Sequence, residues 1–408
     1  MLLSEFAKRV ITEGDLTIID AAGRRHRVGD GRGRRAVIRL HDRSLHHRLA
    51  INPHLYVGEA YMDGTLTLEQ GSLYDFLDIC AANVERVGAQ PLSRIIGRAE
   101  RLLRHLHQYN PARRARANAA HHYDLSDGLY DLFLDADRQY SCAYFTHDHD
   151  DLEQAQRDKK RHLAAKLLLK PGVRVLDISS GWGGLALYLA EAGAGEVVGI
   201  TLSKEQLKVS RERAARAGLA DRVRFELCDY RALEGSFDRI VSVGMFEHVG
   251  VRHYPEFFRA MRDLLTEDGV ALLHSIGRAD GPGATNPWIR KYIFPGSYTP
   301  ALSEVLPVVE RLGLWVTDME ILRLHYAQTL RLWRNQFLAH RGRIAELYDE
   351  RFCRMWEFYL TGCELAFRRM GHMVFQLQLA RRQDAVPLTR DYLTDWERGR
   401  LDTAIAAE

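Results

Sequence analysis

A short β-branched run, VRVLDI (173–178), carries Asp177 and leads through the glycine-rich turn SSGWGG into a helical stretch. Glycines at 181, 183 and 184 let the backbone approach a ligand closely at the carboxyl end of a first strand, where open α/β sheets bind their ligands. A tight packing turn needs the same residues, so the turn marks a place without naming a ligand. The next run ends in Thr201-Leu-Ser203-Lys-Glu-Gln206, where a dinucleotide fold sets an acid for the ribose, and that argues against a plain NAD site. A third run is followed by Cys228-Asp229-Tyr230, well placed to read an adenine edge. Five cysteines, at 80, 142, 228, 353 and 363, show no paired spacing, which argues against a disulfide framework or zinc ribbon. His147 and His149 suit a solvated loop better than a tetrahedral cage, so no metal is expected.

These residues need a scaffold. The runs VRVLDI, EVVGITL (196–202), RVRFEL (222–227), FDRIVSVGM (237–245) and GVALLHSIG (269–277) alternate with helix-like stretches, the pattern of βαβ units in a parallel sheet covered on both faces. WVTDMEIL (315–322) adds a later strand, and helical material is expected over 327–381. Residues 1–85 read as a small α+β domain, with strands at DLTIID and RRAVIRL. Between the two regions, residues 86–120 hold a basic helix and linker. Leu92, Ile95, Ile96, Ala99, Leu102, Leu103 and Leu106 form one apolar stripe there, with Arg94, Arg98 and Arg101 on another face. Such a helix either lies in a membrane interface with its arginines toward phosphate or packs its stripe on the catalytic domain.

At 408 residues the chain has room for two or three domains, and 46% hydrophobic with 27% charged residues excludes a disordered or fibrous protein. No apolar run reaches the ~20 residues of a membrane span. The first residues, MLLSEFAKRV, are interrupted by charges and do not read as a signal peptide, so a soluble cytoplasmic protein is expected. The net charge of +3 is uneven: residues 1–122 carry 19 Lys+Arg against 13 Asp+Glu. This surplus points to an anionic surface, or simply to solvated arginine. No nucleic-acid-reading motif surrounds the arginines, so nucleic acid is not an expected partner.

YDLSDGLYDLFLDADRQYSCAYF (123–145), LDISSGWGG, ITLSKEQ, CDYRAL, VSVGMFEHVG (241–250), LLHSIG (272–277) and NPWIRKYIFPG (286–296) occur in this order. Together they resemble the cyclopropane-fatty-acyl-phospholipid synthase family, whose members are S-adenosylmethionine (SAM)-dependent methyltransferases acting on lipid alkenes. The resemblance is strong over roughly 120–375, and GEAYMDG extends it to the N-terminal region. It implies a Rossmann-like class I methyltransferase domain with a helical cap at 121–390, preceded by the small α+β domain. Tyr140 and Ser141 then fall beside the methionine end of SAM, with Asp177, Ser179, Gly181, Trp182 and Gly183 in the loop beneath it. Thr201, Ser203 and Gln206 fall on the ribose side, and Asp229 and Tyr230 on the adenine side. Members of the family usually read Gly-Cys-Gly where this chain has Ser179-Ser180-Gly181. Serine in an allowed conformation is the reading adopted; a position needing positive φ would make Ser179 costly.

The implied reaction joins a weak alkene nucleophile to the electrophilic methyl of SAM, so alignment and desolvation dominate. Nearby aromatics stabilise the resulting carbocation, with Tyr140, Tyr144, Phe145, Phe246, Trp288 and Tyr292 as candidates and core packing as the alternative for each. In the family a bound bicarbonate accepts the proton that must leave. The resemblance assigns its holders to Cys142, Glu247, His274, the Ile276 N–H and Tyr326. It further implies an unsaturated phospholipid substrate, peripheral association of a cytoplasmic enzyme with the membrane, and a homodimer. Three other outcomes stay open: a methylene- or methyl-branched product, N-methylation of a small amine, or a SAM- or lipid-binding module without turnover.

Overall fold

The chain divides into two compact units in a computed structural model that describes residues 2–405 except 91–93, 98, 100–101, 103, 105–107, 109–126 and 148–149. The first unit comprises Met1–His107, Gly283–Pro295 and Ala327–His372. Its four strands are Asp15–Ile19 (β1), Arg25–Val28 (β2), Arg35–Leu40 (β3) and Leu66–Gln70 (β4), in the order β2-β1-β3-β4. The expected strands at DLTIID and RRAVIRL are β1 and β3. β2 lies inside the arginine-rich stretch and β4 inside a turn-rich one, where charge and glycine hid their alternation. Leu16, Ile18, Ala36 and Ile38 share a core with Phe76 and Ile79 of the helix Leu73–Ala82 and with Leu365 of the helix Glu350–Arg369. That last contact corrects the expected boundaries. Segments 283–295 and 327–372, assigned by sequence to the catalytic domain, cluster with the N-terminal residues because their apolar faces are buried there.

Several arginines of this unit are paired internally. Asp15 takes Arg27 and Arg35, Asp20 takes Arg24, Arg34 meets Asp75 and Asp78, and Arg39 meets Glu69. Leu92, Leu103 and Leu106 of the expected amphipathic stripe lie outside the described residues, whereas Ile95 and Leu102 are 64% and 81% exposed.

The second unit comprises Gln108–Pro282, Gly296–Tyr326 and Met373–Glu408. Its strands are Arg174–Ile178 (β5), Glu196–Thr201 (β6), Val223–Leu227 (β7), Phe237–Val243 (β8), Leu265–Arg278 (β9), Trp315–Leu322 (β10) and His372–Ala380 (β11). They form one sheet in the order β10-β11-β9-β8-β5-β6-β7. β5 pairs in parallel with both β6 and β8, so the strand order reverses beside it and opens a crevice at the carboxyl ends. Successive residues feed opposite cores. Leu176, Ile178, Val198 and Ile240 pack with the helix Tyr254–Leu264, whereas Val175, Val197 and Val241 pack with the helices Leu152–Lys166 and Gly184–Glu191. This doubly covered sheet is the expected Rossmann-like α/β fold. β11 falls where helix was expected. Its residues from Met373 to Ala380 are all buried, so an interior strand presents no polar face to separate it from a buried helix.

The helix Leu152–Lys166 is polar in composition yet largely buried. Its N-cap is Asp151, whose side chain accepts from the Gln154 N–H at 2.7 Å. Burying Gln156, Lys159, His162 and Lys166 is tolerable only where each finds a polar partner.

Candidate active site

The turn after β5 departs from expectation at its first residue. Ser179 sits at φ 70°, in the left-handed region, so the reading of an allowed serine conformation is overturned. Cβ crowding makes that region cost roughly 1–2 kcal/mol for a residue other than glycine. Gly183, at φ 85°, has no alternative: a Cβ there would stand 2.6 Å from Phe225 Cζ. Gly181, at φ 55°, faces open space. Beneath the turn Asp177 is buried, and burial pushes its carboxyl up to about 7, with Lys159 opposing. Its Oδ2 has no hydrogen-bond partner. A buried carboxyl oxygen left without a partner can take a cationic donor.

The residues expected on the ribose side are built differently. The Ser203 Oγ caps the helix Lys204–Arg216 by accepting from the Gln206 N–H at 3.2 Å. Thr201 Oγ1 accepts from the Ser203 N–H at 3.1 Å and donates to Gln206 Oε1 at 2.9 Å. Asp229, expected on the adenine side, is gripped by the Arg231 guanidinium at 2.8 and 2.7 Å. Tyr230 stands edge-on to Phe257. Tyr140 lies edge-on to Tyr130 and Phe133, and Tyr130 also meets Trp182 at 4.8 Å between ring centroids. Tyr130 and Phe133 were missed from sequence although both belong to the stretch 123–145.

At the ends of β8 and β9 the acid–base candidates converge. Val243 and His274 are register partners, and the Gly244 N–H donates to the His274 carbonyl at 2.9 Å. The helical turn Phe246–His248 then swings Glu247 back over β9, where its Oε1 accepts from the Ile276 N–H at 2.5 Å. This amide, expected to serve an anion, is therefore already engaged by the carboxylate. Burial pushes Glu247 up to about 7, with the Ile276 amide opposing, and Oε2 has no partner. Burial drives His274 down to about 3, with Lys159 adding to the effect, so the ring is neutral at ordinary pH. Gln376 Nε2 of β11 lies 3.2 Å from His274 Nδ1. An amide nitrogen donates, so Nδ1 accepts and the ring proton sits on Nε2. Gln376 could not be found while helix was expected over β11.

Cys142 is buried and its Sγ lies 3.3 Å from the Ala143 carbonyl. Three residues on, the Phe145 N–H donates to His325 Nδ1 at 3.0 Å, which ties the Cys142 segment to the residue preceding Tyr326. Among the aromatic candidates, Phe246 is core, stacked on Tyr254 at 4.3 Å. Trp288 and Tyr292 belong to the first unit, against Phe358 and Glu59 respectively. Tyr144 is sandwiched between His162 and His325, at 4.2 and 4.9 Å.

Residues 110–377 match the model of the mycolic acid cyclopropane synthetase family. The chain belongs to that family. It is 39% identical over 350 residues to the cyclopropane-fatty-acyl-phospholipid synthase of Escherichia coli strain K12, covering 85% of this chain and 88% of that protein. It is 40% identical over 327 residues to a probable fatty acid methyltransferase of Pseudomonas putida, covering 77% and 79% of the two chains. The crystal structure of the mycolic acid cyclopropane synthase CmaA1 complexed with SAH and CTAB superposes with a TM-score of 0.61 at 35% identity, over 66% of this chain and 98% of that one. Membership makes the chain a SAM-dependent methyltransferase with the class I fold. No described helix is long and apolar enough to cross a membrane.

Proposed function

We propose that this family member transfers the sulfonium methyl of SAM to a cis double bond of an unsaturated acyl chain in membrane phospholipid and closes a cyclopropane ring. One S–CH₃ bond breaks, one C–CH₃ bond forms, and the new methyl then loses a proton as the second C–C bond closes. The carrying observation is that Glu247, with an unpartnered Oε2, follows β8 and is bound to the Ile276 N–H of β9, two residues from neutral His274, in the same sheet as the glycine turn after β5. Their donor set suits a small anion: His274 offers its Nε2 proton, while Glu247, near its midpoint at about 7, accepts or shares one. Cys142, Glu247, His274, the Ile276 amide and Tyr326 would hold bicarbonate, which when bound supplies the base for the departing proton. The Ile276 N–H would have to be shared with Glu247 or released by it.

The charge surplus of the first third and the exposed Ile95 and Leu102 support peripheral docking of a cytoplasmic enzyme on anionic lipid. A homodimer is the expected assembly, which light scattering would test. Mass spectrometry of acyl chains after incubation with unsaturated phospholipid vesicles and SAM tests the reaction. A gain of about 14 Da, the mass of an added CH₂, with loss of the double bond is the expected result. Retained unsaturation would redirect the reading to a methylene product, and unaltered lipid would refute turnover on this substrate.

A further inference from the structure

The helix Leu152–Lys166 sets Gln156 and Lys159 one turn apart on the same face. Gln156 Nε2 donates to the carbonyls of Gln139 and Ser141, at 3.2 and 3.1 Å. Lys159 Nζ donates to the side chains of the same two residues, Gln139 Oε1 at 2.6 Å and Ser141 Oγ at 2.8 Å. One segment is thus gripped twice, on its backbone by an amide and on its side chains by an ammonium. Tyr140 lies between the two grips, and Cys142 follows directly. Asp135 adds a third hold, accepting from the Gln139 N–H at 2.8 Å.

The choice of lysine is informative. At 1% exposure its ammonium is removed from water, and a well-packed apolar side chain would serve the fold at least as well. Asp135, Asp137, Lys160 and Cys142 act on it electrostatically, and it appears in turn among the influences on Asp177 and His274. Asp137 is committed to Lys160, at 2.5 Å, and to Arg213. Asp177 keeps one oxygen without a partner, and Lys159 is the charge acting on it.

We propose that Gln156 and Lys159 are a positioning pair that sets the Tyr140–Cys142 segment beside the donor-binding turn. The proposal rests on SAM as methyl donor, but not on the identity of the lipid product. Gln156 fixes where the segment lies, and Lys159 fixes the Gln139 and Ser141 side chains.

The signs follow from the two groups. Asp177, raised to about 7, is ionised mainly above that pH, whereas Lys159, lowered to about 8 by burial, loses its charge as the pH rises through that value, which weakens its hold on Gln139 and Ser141. Affinity for S-adenosylhomocysteine (SAH), measured by calorimetry on the full chain, is therefore expected to peak between pH 7 and 8 and to fall on both sides. In Lys159→Met the Kd is expected to rise about tenfold at pH 7.5, with the decline above pH 8 abolished. Lys159→Gln restores a donor to Ser141 without the charge. It should recover kcat relative to Lys159→Met while still lacking the alkaline decline. Gln156→Ala should lower kcat about fivefold with SAH affinity within twofold. A folded Lys159→Met chain with wild-type SAH affinity and an unchanged alkaline limb overturns the proposal. If that variant fails to fold, Lys159→Gln decides in its place, and persistence of the limb there overturns the proposal equally. A wild-type chain that binds SAH as described but leaves vesicle lipid unaltered counts against the proposed reaction and not against the positioning pair.

Discussion

Two ends of the same sheet treat their buried polar groups in opposite ways. Past β6, Thr201, Ser203 and Gln206 satisfy one another through three hydrogen bonds and cap a helix in doing so. Near the end of β5 and just after β8, Asp177 Oδ2 and Glu247 Oε2 are buried with no partner, and so is Gln376 Oε1 of β11 behind His274. Leaving a buried polar group unmatched costs roughly 1–3 kcal/mol, so a fold selected for stability alone would have closed these gaps. The contrast separates residues that build a binding turn from residues held ready for a ligand or a proton. It also predicts that substitutions at the two ends fail in different ways.

The largest effect is expected at Glu247. Glu247→Gln keeps the shape and can still meet the Ile276 amide through its carbonyl, but it cannot take a proton. Turnover should drop about 100-fold, the scale of losing a group that shares the proton in the transition state, while SAH affinity stays near wild type. Because burial raises Glu247 to about 7, its carboxylate form is lost as the pH falls through that value. Wild-type kcat should therefore decline below pH 7, and the variant should lack this limb. Activity near wild type would remove Glu247 from the chemistry.

A smaller loss tests the support behind His274. Gln376→Ala removes the donor to Nδ1 and frees the ring to change tautomer or turn, and a roughly tenfold fall in kcat is expected from misalignment alone. Gln376→Glu is sharper. A carboxylate accepts where the amide donates, which draws the ring proton onto Nδ1 and away from the pocket. The charged variant should be slower than Gln376→Ala. The reverse order would show that the tautomer is irrelevant.

What was legible in the sequence follows the same division. Strand ends with glycine turns announce themselves through spacing, which is why β5 to β9 were found where the structure has them, whereas the helix cap built by Thr201, Ser203 and Gln206 was not read from sequence. Cys142, Glu247 and His274 came from motif resemblance, since nothing in their spacing brings together residues from segments so far apart in the chain. Lys159 and Gln376 were missed for a physical reason. Each acts through a partner distant in sequence, and each sits in an element whose texture misled. Lys159 lies on a helix polar enough to read as solvent-exposed, and Gln376 lies in a strand buried on both faces. Ser179 shows the converse. The departure from glycine was visible in the sequence, but the sign of φ that makes it costly belongs to the folded turn.

The smallest effects bear on stability and close the comparison. Ser203→Ala deletes the side-chain cap of the helix Lys204–Arg216 and should cost about 1 kcal/mol in urea unfolding, with kcat at saturating SAM unchanged. A large fall in kcat would move Ser203 from the capping end to the chemical end. Ser179→Gly acts in the opposite direction. Glycine removes the Cβ conflict at φ 70°, so the turn should gain about 1 kcal/mol, offset in part by the greater freedom of glycine in the unfolded chain. If the serine conformation is held by the turn at the expense of stability alone, SAH affinity will match wild type while the unfolding midpoint rises. If it strains the donor site itself, affinity will tighten as well. An unfolding midpoint that does not rise would mean that the surrounding turn relieves the left-handed serine, and the loop would then have adapted to it rather than tolerated it.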